Sequence, residues 1–300
     1  MSTQKTYDIA FLGHYTKDTI VSAGGTRKVD GGAFNYGSHL AIRMGLRVAA
    51  ITRLARTDFH VIEELKKLGV DVFAKATPQS TCLRLEYPTS NVDERIISIT
   101  SSAGPFTPSE VRDIASKAFV IGASVRGEVT MEVIEELRKK VTTLSADVQG
   151  FIRIVHEGKL VSKDWPEKEK VLAMVDVLKT DAVEAELLTG KSDIRTAAKI
   201  IADFGPKEVV ITHSNGLLVY DGNQFYETNF YPKQLIGRSG RGDTCIGSYV
   251  ARRLNAPPPQ AMIWAAAVTS LKMEAEGPFR RDIREVEELI QKKYRQESIG

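Results

Sequence analysis

Gly237-Arg238-Ser239-Gly240-Arg241-Gly242-Asp243-Thr244 stands directly before a helical pattern, and the reading of the whole chain turns on it. Its spacing is GxxxxG followed by Asp-Thr, the form of a phosphate-cradling P-loop with Asp where Lys belongs. A carboxylate cannot supply the cation that such a loop places on the β- and γ-phosphates, so the stretch is not a P-loop. Gly190-Lys191-Ser192 has the Lys-Ser pair but carries Ala185 where the upstream glycine is required. The 237–244 stretch suits a different arrangement. Gly240 and Gly242 let the backbone turn tightly and aim successive N–H groups outward, and the helix behind adds its positive end, so an anion can be held there. Asp243 at that mouth would accept the proton of an attacking hydroxyl. The same residues also read as an ordinary helix cap, Asp being favoured there, and spacing alone does not separate the two.

Outward from this stretch, short β-branched or apolar runs alternate with amphipathic ones. Residues 7–12, 47–51, 118–121, 143–146, 174–178 and 208–212 read as strands, and 34–44, 60–68, 128–140, 181–188 and 193–204 as helices. This alternation predicts an α/β fold with a mostly parallel sheet covered on both faces. Segments 19–29 and 82–98 interrupt it and predict a small antiparallel flap. Beyond Gly242 the pattern is wholly helical, through 244–254, 260–275 and 283–295, with Pro257–Pro259 between the first two. Residues 1–300 read as a single domain.

The composition fits such a fold: 42% hydrophobic and 26% charged residues over 300 positions, with a formal charge of +3. The basic residues are spread over exposed-looking helices, so no nucleic-acid partner is expected. Cys82 and Cys245 lie far apart without metal-ligand spacing, which argues against a disulfide framework or a zinc site. The N-terminal apolar run, 9–12, is too short for a signal core or a membrane span, so a cytoplasmic protein with no membrane partner is expected.

GRSGRGDTCIGSYVARRL, residues 237–254, resembles the second signature of the PfkB/ribokinase family, D-T-x-G-A-G-D before a helix. The resemblance makes Asp243 the catalytic base and Gly240, Arg241 and Gly242 the anion hole. Gly237 replaces the leading Asp and Arg241 the small Ala; the Arg241 side chain either leaves the phosphate path or becomes an extra cation on it. Gly13–Asp18 resembles the family's G-x-x-x-x-D, whose Asp contacts substrate hydroxyls. Asp30-Gly31-Gly32-Ala33-Phe34-Asn35 resembles a shortened G-G-x-x-x-N, which implies that Gly31, Gly32 and Asn35 meet the acceptor. Asp147–Arg153 resembles the D-x-Q-x-x-x-R stretch of archaeal sugar kinases and plant inositol kinases, with Arg153 at the substrate and within reach of phosphate. Asp181 and Glu184 take the places of N-x-x-E, in which the Glu positions Mg²⁺ through water. Residues 210–216 resemble V-T-x-G-x-x-G, which brings Thr212, Ser214 and Gly216 to the nucleotide, and 260–275 resembles the helix flanking adenine.

The resemblance extends from about residue 7 to about residue 290 and implies a ribokinase-like three-layer α/β sandwich with a mostly parallel central sheet and a small β flap. It implies a kinase transferring the γ-phosphoryl of Mg²⁺-bound ATP to a hydroxyl of a sugar or polyol, as a monomer or as a homodimer through the flap. Two alternatives stand beside it. One is a nucleoside kinase of the same fold. The other is a non-catalytic ligand- or nucleotide-binding regulator, suggested by the departures at Gly237, Arg241 and Ser214.

Overall fold

Strands whose alternate residues are both apolar form the centre of the molecule, because each face has a helical layer to bury against. The computed structural model describes residues 5–89 and 95–294. In chain order its strands are β1 (Thr6–Leu12), β2 (Thr16–Ser22), β3 (Gly25–Gly31), β4 (Val48–Ala55), β5 (Asp71–Thr77), β6 (Thr81–Glu86), β7 (Ile96–Ser101), β8 (Ala115–Ile121), β9 (Thr143–Asp147), β10 (Arg153–His156), β11 (Lys159–Ser162), β12 (Val177–Asp181), β13 (Glu208–Thr212), β14 (Gly216–Tyr220) and β15 (Phe225–Asn229). The helices are α1 (Ala33–Arg43), α2 (His60–Lys67), α3 (Met131–Arg138), α4 (Gln149–Ile152), α5 (Lys168–Leu172), α6 (Ala182–Thr189), α7 (Ile194–Asp203), α8 (Arg241–Arg253), α9 (Pro258–Met273) and α10 (Ile283–Leu289).

Nine strands make the central sheet in the order β15-β14-β13-β12-β9-β8-β1-β4-β5. From β13 to β5 every pairing is parallel, and β14 and β15 extend the edge antiparallel. The alternation is visible in β1, where Ala10 and Leu12 belong to the buried cluster that includes residues of α3, α5, α6 and α7, while Ile9 and Phe11 belong to the one that includes residues of α1, α2, α8 and α9. Outside α9, α10 and Tyr294 close a third cluster around Trp264 and Phe279.

A second sheet, β10-β11-β7-β6-β2-β3, forms the flap. The predicted segments 19–29 and 82–98 lie in it, with 90–94 outside the described residues. The flap is larger than expected because the β10–β11 hairpin joins it, turning at Glu157 and Gly158 with both φ angles positive. Its root is fastened by a buried cluster. His14 bonds to Gly104 O and Thr81 Oγ1, while the Glu128 carboxylate accepts from the His14 and Ser124 backbones.

Several expected boundaries move. The strand placed at 174–178 is β12, three residues later, because Met174 and Val175 close the last turn of α5 through bonds to Val171 and Leu172. The helix placed at 128–140 begins at Met131, since Glu128 turns inward. The first two C-terminal helices start earlier than expected, at Arg241 and Pro258; proline suits a first turn, where its missing N–H costs nothing. The predicted 283–295 helix ends at Leu289 and continues as a wider turn to Tyr294, with Arg295 outside the described residues. β5, β14 and β15 are additional strands. Among the described residues no helix is long and apolar enough to cross a membrane.

Candidate active site

A cleft of about 480 Å³ opens where the parallel strands end, the usual place for a site in such sheets. Its floor is built from β12, from the end of β13 and from Gln149 in the turn of helix after β9, its wall from the N-terminal turn of α8, and its roof from flap strands β2, β6 and β7.

The wall begins at Gly240, the residue capping α8, in left-handed backbone with φ 75°. A methyl group there would lie 2.3 Å from the Tyr36 ring, so glycine is required on two counts. Lys272, buried on α9, holds this turn by donating to Gly237 O, at 2.8 Å, and to Ser239 O, with its ammonium 5.4 Å from the centre of the Tyr36 ring. Burial pushes Lys272 down to about 8. Of the expected anion-hole amides, Arg241 N donates to Arg238 O at 3.1 Å. The first turn of a helix leaves its amides without intrahelical partners, and this bond takes Arg241 out of that set while Gly242 and Asp243 stay in it.

Asp243 is therefore the third residue of α8 and not a residue ahead of it. Its Oδ1 is buried and bonds to nothing in the protein, as is Oδ1 of Asp18 on β2, and both residues line the cleft. Burial first, and repulsion from Asp147 next, push Asp243 up to about 7 against the pull of Lys179 and Arg153. Burial raises Asp18 to about 6. A carboxylate poised near neutrality and aimed at open space is the arrangement a general base requires.

The other expected residues divide. Gly32, Arg153, Asp181, Glu184, Thr212, Ser214 and Arg241 line the cleft. Gly31 lies behind Asp18: a methyl there would meet Asp18 Oδ2 at 2.7 Å. Asn35 spends its amide on Asp30 O at 3.1 Å and keeps a buried, unpartnered Oδ1. Gly216 does not line the cleft; it pairs with Asn229 across β15, where a methyl would lie 2.0 Å from Thr228 O, so strand packing demands glycine there. Asp181 caps α6 in a reciprocal box with Glu184, each side chain accepting from the other's backbone at 2.8 and 3.0 Å.

Glu184 is also 3.6 Å from Arg153, and burial pushes its carboxyl above the usual range while Lys179 opposes this. Among the described residues no group of three or more His, Cys, Asp or Glu side chains could hold a metal ion. One buried carboxylate facing a phosphate-sized cleft does fit hydrated Mg²⁺, which keeps most of its waters and takes its remaining oxygens from phosphates.

The motifs did not reveal Lys179, in the middle of β12, nor that it pairs with Asp147, the leading Asp of the 147–153 stretch and the last residue of β9. Their side chains are 2.9 Å apart and almost wholly buried. Burial alone would lower the Lys179 pKa, but Asp147, Glu184 and Asp181 raise it above the ordinary value. Arg153, Arg238 and Arg241 join Lys179 at the end of the cleft beside α8 and α6, which also carries the carboxyl groups of Asp181, Glu184 and Asp243. The flap end is different: Leu83, Leu85 and Ile97 face Asp18, Arg95 and Gln149. Along α9, Ile236 N and Gly237 N both donate to Met273 O, and a methyl on Gly237 would lie 2.1 Å from Ala275 O. Residues 236–237 thus cover the end of the helix that the resemblance assigns to adenine.

A model described as pfkB family carbohydrate kinase matches residues 7–280. A solved pyrophosphate-dependent kinase in the ribokinase family, complexed with a pyrophosphate analog and myo-inositol, is 38% identical. It covers 93% of this chain and 99% of its own, with a TM-score of 0.86. The cytidine kinase of Thermococcus kodakarensis is 26% identical over 256 residues, 81% of this chain and 87% of that protein. Arabidopsis thaliana ribokinase, complexed with ribose and ATP, shares the fold at 17% identity, covering 96% of this chain and 99% of its own with a TM-score of 0.74.

Proposed function

Since the chain belongs to the PfkB family of carbohydrate kinases, we propose that it transfers a phosphoryl group from pyrophosphate to a hydroxyl of a cyclic polyol of the myo-inositol kind. The observation that carries the choice of donor over the ATP expected from the sequence is the lining of the donor end. Arg153, Arg238, Arg241 and Lys179 converge there, whereas Ala182 and Val183 are the apolar residues beside them and Val183 is 76% exposed. Guanidinium forks match phosphate oxygens, and a purine needs an apolar slot instead. The covered end of α9 and the pyrophosphate-dependent relative support the same choice. For the acceptor, an apolar roof over a polar floor suits a ring that presents C–H groups on one face and hydroxyls on its rim.

In this reaction Asp243 takes the proton of the acceptor hydroxyl as its oxygen bonds to phosphorus. The bridging P–O bond breaks, and inorganic phosphate leaves. The Gly242 and Asp243 amides and the positive end of α8 stabilise charge on the transferring group. Asp18 and Gly32 orient the acceptor, and the flap excludes water that would otherwise take its place. Glu184, with Asp181 beside it, would hold the hydrated Mg²⁺ whose charge offsets that of the donor oxygens. The test is a matrix of pyrophosphate and ATP against myo-inositol, hexoses and nucleosides, read as phosphomonoester formed. Transfer from pyrophosphate to myo-inositol is expected. Transfer only from ATP, or only to nucleosides such as cytidine, would contradict the donor or the acceptor assignment respectively.

A further inference from the structure

The cleft contains a cation that no motif announces. Lys179, the middle residue of β12, has its side chain 5% exposed, and Asp147, 1% exposed, lies against it at 2.9 Å. The pair supports the first turn of α8: a methyl placed on Gly242 would lie 2.7 Å from Lys179 Nζ and 3.4 Å from Asp147 Oδ2. Gly242 is adjacent to the base, so the ammonium sits beside the point where the phosphoryl group must pass. Two features argue against a merely structural ion pair. Buried pairs of this kind rarely add stability over apolar residues of the same size, and the Lys179 member of this one lines the cleft.

We propose that Lys179 is a catalytic residue that contacts the oxygens of the phosphoryl group in flight, with Asp147 as the residue that positions it. Asp147 is itself fixed, since its Oδ1 accepts from Gln149 N at 3.1 Å. The ammonium forms and breaks no bond; it meets negative charge that grows on the equatorial oxygens as donor and acceptor separate from and approach phosphorus. A fixed cation there adds to the α8 amides, and a side chain at position 242 would displace it.

The experiment compares Lys179→Gln and Lys179→Met with the wild type for turnover, acceptor KM and thermal stability. An equal loss in kcat and kcat/KM, about 10²–10³-fold, with acceptor KM unchanged, is expected for a contact made in the transition state. Lys179→Arg should recover part of the loss, and Asp147→Asn should lower kcat less than Lys179→Met without raising acceptor KM. Folded Lys179→Gln or Lys179→Met protein with near wild-type kcat overturns the proposal, and so does failure of all three Lys179 variants to fold, which would make the residue structural. The proposal rests on phosphoryl transfer but not on the donor. Wild-type activity with ATP and none with pyrophosphate would sink the donor assignment, while the Lys179 comparison would then be made with ATP.

Discussion

Asp243 carries two measurable consequences of one burial. Its pKa rises from 3.8 to about 7, so the proton-accepting form is lost on acidification, and turnover should fall about tenfold per pH unit below neutrality and level off above pH 8. Asp243→Asn should bind donor as before and lose about 10²–10⁴ in turnover; retention of most activity would remove Asp243 as the base. The stability effect has the opposite sign. A carboxyl whose folded pKa is raised contributes its stability fully below the unfolded value, and that contribution disappears as pH rises through about 7. The difference is worth roughly 4 kcal/mol. Asp243→Asn should therefore melt higher than the wild type at pH 8, with the gap narrowing as pH falls and closing only below about pH 4 in paired calorimetric scans. At this scale the sequence shows a base only because glycines punctuate it. Lys179, Lys272 and Glu128 escaped notice because a lone buried charge in an apolar run has no spacing to mark it, and only the fold supplies its partners.

The start of α8 is the element on which the site depends, and Gly240 is its least replaceable residue. Gly240→Ala forces left-handed backbone on a residue with a side chain and drives a methyl into Tyr36. A loss of about 1–3 kcal/mol in denaturant unfolding is expected, with turnover falling further than stability explains because the amides lose their aim. At α6, Glu184→Gln keeps the shape of the cap but removes the charge near the donor, so the Mg²⁺ concentration for half-maximal rate should rise and added Mg²⁺ should restore part of the rate. An unchanged Mg²⁺ dependence would leave Glu184 as a helix cap alone. Elements with a strong period, such as α1 and β13, were readable from sequence within a residue or so. β12 was displaced because one apolar run, from Met174 to Leu178, serves both the last turn of α5 and the start of the strand. The β10–β11 hairpin escaped because its turn uses Glu157 at positive φ, where Asn or Asp would have signalled it.

At the scale of the whole molecule, the order of the motifs made the family legible, while the identity of the donor was not. Donor choice depends on how residues 236–240 pack against α9 and on which cations gather at one end of a cleft. Those contacts join positions far apart in the chain. The family resemblance implied ATP, whereas the donor proposed here is phosphate throughout. The measurement that decides most directly is a ³¹P NMR time course of the purified full chain with Mg²⁺, myo-inositol and either pyrophosphate or ATP. The account predicts that pyrophosphate is consumed with equal appearance of inositol phosphomonoester and inorganic phosphate, and that ATP stays largely intact. Rapid conversion of ATP to ADP and phosphomonoester, with pyrophosphate unchanged, would contradict it.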